Sequence, residues 1–122
     1  MLKKSLLILT LSTLFAFAND AKQVALELCE YSKKANIEGM KRHASKEMLP
    51  QLTQIGKMLK MAQSTPEGRA KLAEGLKTVA HINCKKSTTL TKNSDGSFKV
   101  TNNQTKQQFT LKKINKDWKF AQ

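Results

Sequence analysis

The sequence predicts an α+β fold, with N-terminal helices packed on a curved four-stranded antiparallel sheet. Three observations predict it. Between residue 20 and about residue 80 the apolar side chains recur every three or four positions, the period of a helix with one buried stripe. From about residue 81 to residue 121 the period falls to two, in short runs separated by Asn, Asp, Ser and Gly. Each of those runs has one apolar and one polar face, as in an antiparallel meander covered on one side. Helices followed by strands in one short chain give the α+β architecture.

The domain is expected to begin after a leader. Met1-Leu2-Lys3-Lys4 is a basic start, Ser5 to Phe15 is an apolar run, and Ala16-Phe17-Ala18 is a small-residue cleavage site. The run is too short to span a bilayer stably. Residues 1–18 are therefore read as a cleaved signal peptide and residues 19–122 as one domain. The protein is expected to be exported, periplasmic or secreted, and soluble after cleavage. The first cysteine is Cys29, away from the cleavage site, which argues against a lipoprotein. Removing 18 of 122 residues leaves 104, enough for one modest core. Such a domain gains from a staple. In an oxidising compartment two cysteines have one pairing, so a Cys29–Cys84 disulfide is expected over two separately buried thiols.

The charge is strongly basic. The chain has 22 Lys and Arg against 9 Asp and Glu; without Lys3 and Lys4 the balance is 20 − 9, or +11. Such a field attracts anionic lipids, lipopolysaccharide, nucleic acid or acidic polymers. The lysines are spread along the chain, and Tyr31, Phe98, Phe109, Trp118 and Phe120 fall mostly on core-facing positions. Aromatic interleaving of the kind single-strand binders use is missing, so no specific nucleic-acid site is expected.

Asp20 to Ala35 reads as the first helix, with Ala21, Val24, Ala25, Leu28, Tyr31 and Ala35 on one stripe and Asn19 or Asp20 as its cap. Asn36 caps a short second helix with Ile37, Met40 and Ala44 on one side. Ser45-Lys46-Glu47 reads as another helix start, broken or kinked near Leu49-Pro50 because proline disrupts a helix interior. From Gln51 the helical spacing resumes with Leu52, Ile55, Leu59 and Ala62. Ser64-Thr65-Pro66-Glu67 is a clear helix start: hydroxyl cap, proline in the first turn, then an acid. Ala70, Ala73, Leu76, Val79 and Ala80 are expected to be that helix's buried side.

The sheet follows. Ile82, Cys84, Lys86, Thr88 and Leu90 alternate in the first strand, then Lys92 to Gly96 turns. Phe98 and Val100 alternate in the second strand, and Asn102-Asn103 turns. Phe109 and Leu111 alternate in the third, and Asn115-Lys116-Asp117 turns. Trp118 and Phe120 close the fourth. Ile114 is out of phase with Leu111, so a bulge near Lys112-Lys113 is expected.

These elements resemble those of small exported bacterial proteins of the nuclear transport factor 2-like superfamily, particularly the branch called domain of unknown function 4878. The residues that carry the resemblance are the helix from Ala21 to Ala35, the segments Asn36 to Lys41 and Ala44 to Met48, and the closing Phe109 to Phe120 with its tryptophan. The resemblance implies a cone, a curved sheet wrapped around helices and often enclosing a cavity. Many members of that branch are lipoproteins, and this chain is expected to depart from them there, because no cysteine adjoins its expected cleavage site. The activity of the branch is unassigned, so the resemblance implies a fold and no reaction.

Related cone folds include ketosteroid isomerase and scytalone dehydratase, which need a carboxylate base facing the cavity. In the strand half the acids are Asp95 and Asp117, both in turns. The candidate cavity lining is Ile82, Lys86, Leu90, Phe98, Val100, Phe109, Leu111, Trp118 and Phe120, with Cys84 and Thr88 on the same face. It holds no carboxylate, so an enzyme is not expected, and Lys86 is expected to reach the rim. His43 and His81 have no ligand at metal spacing and read as surface or helix-end residues. Met40, Met48, Met58 and Met61 read as core filler before a copper(I) site. Cys29 and Cys84 lack a Cys-x-x-Cys spacing and read as structural. Asn103-Gln104-Thr105 is a glycosylation sequon only in a eukaryotic host. No cofactor or metal is expected. The expected function is a non-catalytic periplasmic binding or accessory protein, taking a small ligand in the cone or an envelope protein on the sheet. The alternative is a basic envelope-surface protein that binds lipopolysaccharide or anionic lipid headgroups. The sheet is also a candidate dimer surface.

Overall fold

A computed structural model describes residues 20–121; the expected leader and the capping role of Asn19 lie outside the described residues. Within them, five helical segments precede a four-stranded antiparallel sheet in the order β1-β2-β3-β4.

The first helix, α1, covers residues 20–33. Ala21, Ala25 and Leu28 are buried on the stripe that the spacing anticipates. It stops two residues before the expected Ala35. Ala35 turns left-handed at φ 53°, its N–H reaches the Ser32 carbonyl, and the Asn36 N–H reaches back to Tyr31. That is a Schellman closure, built here without the usual glycine. Asn36 then caps α2 (Ile37–Arg42) by accepting from the Gly39 N–H. Gly39 is buried beneath the Tyr31 ring, where a Cβ would stand 2.7 Å from a ring carbon.

No helix starts at Ser45. Residues 46–48 form a turn, and α3 (Leu49–Gln63) starts with Pro50 in its first turn. Proline there lacks only an N–H that would have no helical partner anyway, so it opens the helix and does not break it. Thr65 caps α4 (Pro66–Ala80) by accepting from the Gly68 N–H. The buried side of α4 differs from the expected one. Leu72, Leu76 and Val79 are half-buried, whereas Ala70, Ala73 and Ala80 are exposed. None of its residues is fully buried, so α4 leans on α3 and stays outside the core.

The first expected strand is shortened. Cys84–Ser87 is a helical turn, α5, capped by Asn83, whose side chain accepts from the Lys86 N–H. Strand β1 (Thr88–Lys92) begins only after it. Alternation over residues 82–86 therefore does not continue the sheet, and Lys86 is exposed on α5 instead of facing inward.

β2 (Phe98–Asn102), β3 (Gln108–Ile114) and β4 (Asp117–Ala121) complete the meander. Pairing of β3 with β4 runs without interruption from Thr110↔Ala121 to Ile114↔Asp117, so there is no bulge at Lys112-Lys113. Ile114 lies on the outer face and is 40% exposed, while Lys113 takes the inner position opposite Trp118. Asn115 and Lys116 form the two-residue turn, both left-handed at φ 51° and 71°. The free edge of β4 is partly covered: Ala44 forms a parallel bridge to Phe120, with Phe120 N–H to the His43 carbonyl at 2.7 Å and Ser45 N–H to the Phe120 carbonyl at 3.0 Å.

The core lies between the helices and the inner sheet face. Ala21, Ala25 and Leu28 of α1, Ala44, and Leu52 of α3 meet Val100, Leu111, Trp118 and Phe120.

Candidate contact surface

The expected cavity lining divides into two sets. Val100, Leu111, Trp118 and Phe120 are buried in the core, and Leu90, Phe98 and Phe109 pack around them. Phe98 meets Trp118 edge-on with centroids 5.3 Å apart, and Phe109 meets Phe120 at 6.1 Å. These edge-to-face pairs are the arrangement aromatic quadrupoles favour. Ala21, Ala25, Leu28 and Leu52 of the helices belong to the same cluster. Ile82 and Lys86 are not among them. Ile82 is buried beside the loop before α5, where its carbonyl accepts from Lys33 Nζ at 2.8 Å, and Lys86 points to solvent.

The disulfide joins Cys29 of α1 to Cys84 of α5. It anchors the first helix to the segment that leads into β1.

A cleft of about 240 Å³ opens outside the core, between the start of α1 and the β3–β4 turn. Glu27, His43, Lys116, Asp117 and Trp118 help to line it. His43 Nε2 pairs with Glu27 at 2.7 Å, and its ring stacks on Tyr31. Its own carbonyl holds Phe120. His43 thus ties α1 and the loop after α2 to β4, which is a structural job. It does follow the last residue of α2, as expected of a helix-end histidine; its partner, sixteen positions upstream, has no signature in the sequence. His81 likewise ends α4. Among the described residues no three His, Cys, Asp or Glu side chains converge as a metal site would require.

Asp95, in the exposed β1–β2 turn, accepts from the Ser97 hydroxyl and N–H, and these bonds hold its carboxyl below the usual aspartate range.

The match between acids and cations is uneven along the chain. Ion pairs join Glu30 to Lys33 and Glu38 to Lys41, and Glu27 hydrogen-bonds His43, all within α1, α2 and the loop that follows. Residues 49–92 are different. They carry Lys57, Lys60, Arg69, Lys71, Lys77, Lys85, Lys86 and Lys92 against only Glu67 and Glu74, and all eight cations are exposed. None of them forms an ion pair among the described residues. The α3–α4 hairpin, α5 and β1 therefore carry exposed cations that no carboxylate pairs among the described residues.

The same hairpin exposes apolar side chains. Met58 is 62% exposed and Met61 72%. The expectation that all the methionines fill the core holds for Met40 and Met48, which pack against it, and fails for these two. Met58 and Met61 lie off the expected stripe of Leu52, Ile55, Leu59 and Ala62, of which Leu52 is buried, Leu59 and Ala62 are half-buried, and Ile55 is 44% exposed. No family model, characterised protein or solved structure matches the chain.

Proposed function

We propose that the protein is a non-catalytic binding protein of the cell envelope, exported and released from its leader, whose partner is a phosphate-bearing lipid surface: the headgroups of anionic phospholipid or of lipopolysaccharide. The observation that carries this reading is the unmatched charge of residues 49–92, eight exposed cations to two acids. Each lysine near an anionic lipid surface contributes about 1 kcal/mol of attraction. A handful of them acting together supports reversible attachment without a dedicated pocket. No helix among the described residues is long and apolar enough to cross a membrane, so attachment would be peripheral. Kinship with nuclear transport factor 2-like exported proteins belongs to this reading through the order of the elements. A ligand held beneath the sheet has less support, because aromatic side chains occupy that space.

The test is co-sedimentation with vesicles of phosphatidylcholine alone and with phosphatidylglycerol or lipopolysaccharide added. Binding should require the anionic component and weaken as salt rises. Replacing Lys57, Lys60 and Lys77 together with Glu should weaken it by at least about fivefold per position, the equivalent of about 1 kcal/mol each. Equal binding to neutral and anionic vesicles would refute the proposal.

A further inference from the structure

Helix α3 carries more than charge. Ile55, Met58 and Met61 are 44%, 62% and 72% exposed, and their spacing of three places them along one stripe. Gln51 and Gln54, one turn before Ile55 and Met58, extend this side without charge. Lys57 and Lys60 each precede a methionine by one residue, about 100° around the helix, and so border the stripe along the side away from Leu52. The helix contains no acid. Its opposite side is already used: Leu52 is in the core, and Gly56 lies against Ile37. An exposed apolar stripe of this kind on a folded domain marks a contact surface. Methionine suits an irregular, fluid partner, being unbranched and flexible.

Charge decides the occupant. Two copies of this chain joined through the stripe would bring Lys57 and Lys60 of each near the other, with no acid in α3 to neutralise them. An anionic lipid surface neutralises both lysines and accepts the apolar stripe beneath its headgroups, the arrangement of an interfacial amphipathic helix. We infer that α3 lies in the plane of an anionic lipid surface and inserts Ile55, Met58 and Met61 at the boundary between headgroups and acyl chains. This rests on the reading of a phosphate-bearing lipid partner and goes further, because it requires acyl chains and not phosphate alone.

The test uses the full exported domain carrying Met58→Trp, with the wild type, whose tryptophan is Trp118, as the spectral reference. On phosphatidylglycerol vesicles the introduced indole should shift to the blue, and lipids brominated in their acyl chains should quench it. Soluble polyphosphate should leave its emission unchanged. In parallel, Met58→Glu with Met61→Glu should weaken vesicle binding on the order of tenfold, by withdrawing two apolar groups and adding two charges that the lipid repels. It should weaken polyphosphate binding less. A protein that sediments with the vesicles while the introduced indole stays water-like and unquenched overturns the insertion and leaves the electrostatic reading standing. A wild type that ignores polyphosphate, phosphatidylglycerol and lipopolysaccharide alike overturns the electrostatic reading itself. A dimer seen by sedimentation equilibrium that the double glutamate variant dissociates overturns the lipid assignment and makes the stripe a self-interface.

Discussion

Removing the disulfide, by Cys29→Ser with Cys84→Ser, should cost about 4 kcal/mol. The bridge spans 55 residues of sequence. In the loop-entropy account, closing a loop of that length removes about 14 cal/mol/K from the unfolded chain, which is about 4 kcal/mol at 25 °C. A domain of this size is stable by roughly 5–15 kcal/mol in total, so the loss is a large fraction of its stability. The location supports a full effect. Cys29 adjoins Leu28 on the helix that contributes Ala21, Ala25 and Leu28 to the core, and Cys84 is buried just before the first strand. Guanidinium unfolding followed by fluorescence measures the cost, since Trp118, the one tryptophan, is 7% exposed and reports loss of the core directly. The midpoint should fall in the double variant and in reduced wild type alike. A difference below about 1 kcal/mol between oxidised and reduced protein would show that closing this loop is not what holds the domain together.

Two further substitutions test local geometry. Lys116→Gly should stabilise by about 0.5–1 kcal/mol, because Lys116 sits at φ 71° in a two-residue turn whose second position favours glycine; an unchanged thermal midpoint would contradict the turn. Gly39→Ala should destabilise by about 1–3 kcal/mol, since its Cβ would meet the Tyr31 ring at 2.7 Å. Helix propensity alone predicts the opposite sign, so a stabilised variant in denaturant titration would rule out that close contact.

The sheet was legible because Phe98 and Val100, Phe109 and Leu111, and Trp118 and Phe120 repeat at a period of two, each pair next to turn chemistry. The helical half was legible in kind but less so in placement. Pro50 reads as a breaker when its helix is assumed to start earlier, and as an opener once the start is at Leu49. The segment before β1 misleads for a physical reason. Ile82 and Cys84 are both buried, which mimics alternation, yet Asn83 caps a helical turn and redirects Lys86 outward. The cue was Asn83 itself, a strong capping residue followed by Cys, Lys and Lys with no β-branched side chain among them. Ile114 misleads through the assumption that a large apolar residue must face inward. The strand pairing continues regardless, and the cost of one half-exposed isoleucine at a sheet end is small. Of the surface properties, net charge could be read from composition. The excess of cations in residues 49–92 could be counted as well, but which acids pair with which lysines could not, because that depends on proximity in space. The tie from Glu27 to His43 was hidden for the same reason.

The bridge between Ala44 and Phe120 has a consequence for biosynthesis. It joins positions separated by most of the described chain, and Lys119 donates to the Arg42 carbonyl across a similar distance, 77 residues. The segment after α2 therefore has no edge to pair with until β4 has been made and delivered. A nascent chain emerges in order from its first residue. The domain can lock only when its last strand arrives, and until then Ala44, Leu52 and the α1 stripe lack the tryptophan and phenylalanine that cover them. Non-local closure of this kind slows folding. It also makes the final strand a completeness check, since a product truncated before β4 would lack Trp118 and Phe120 and be left open to proteolysis.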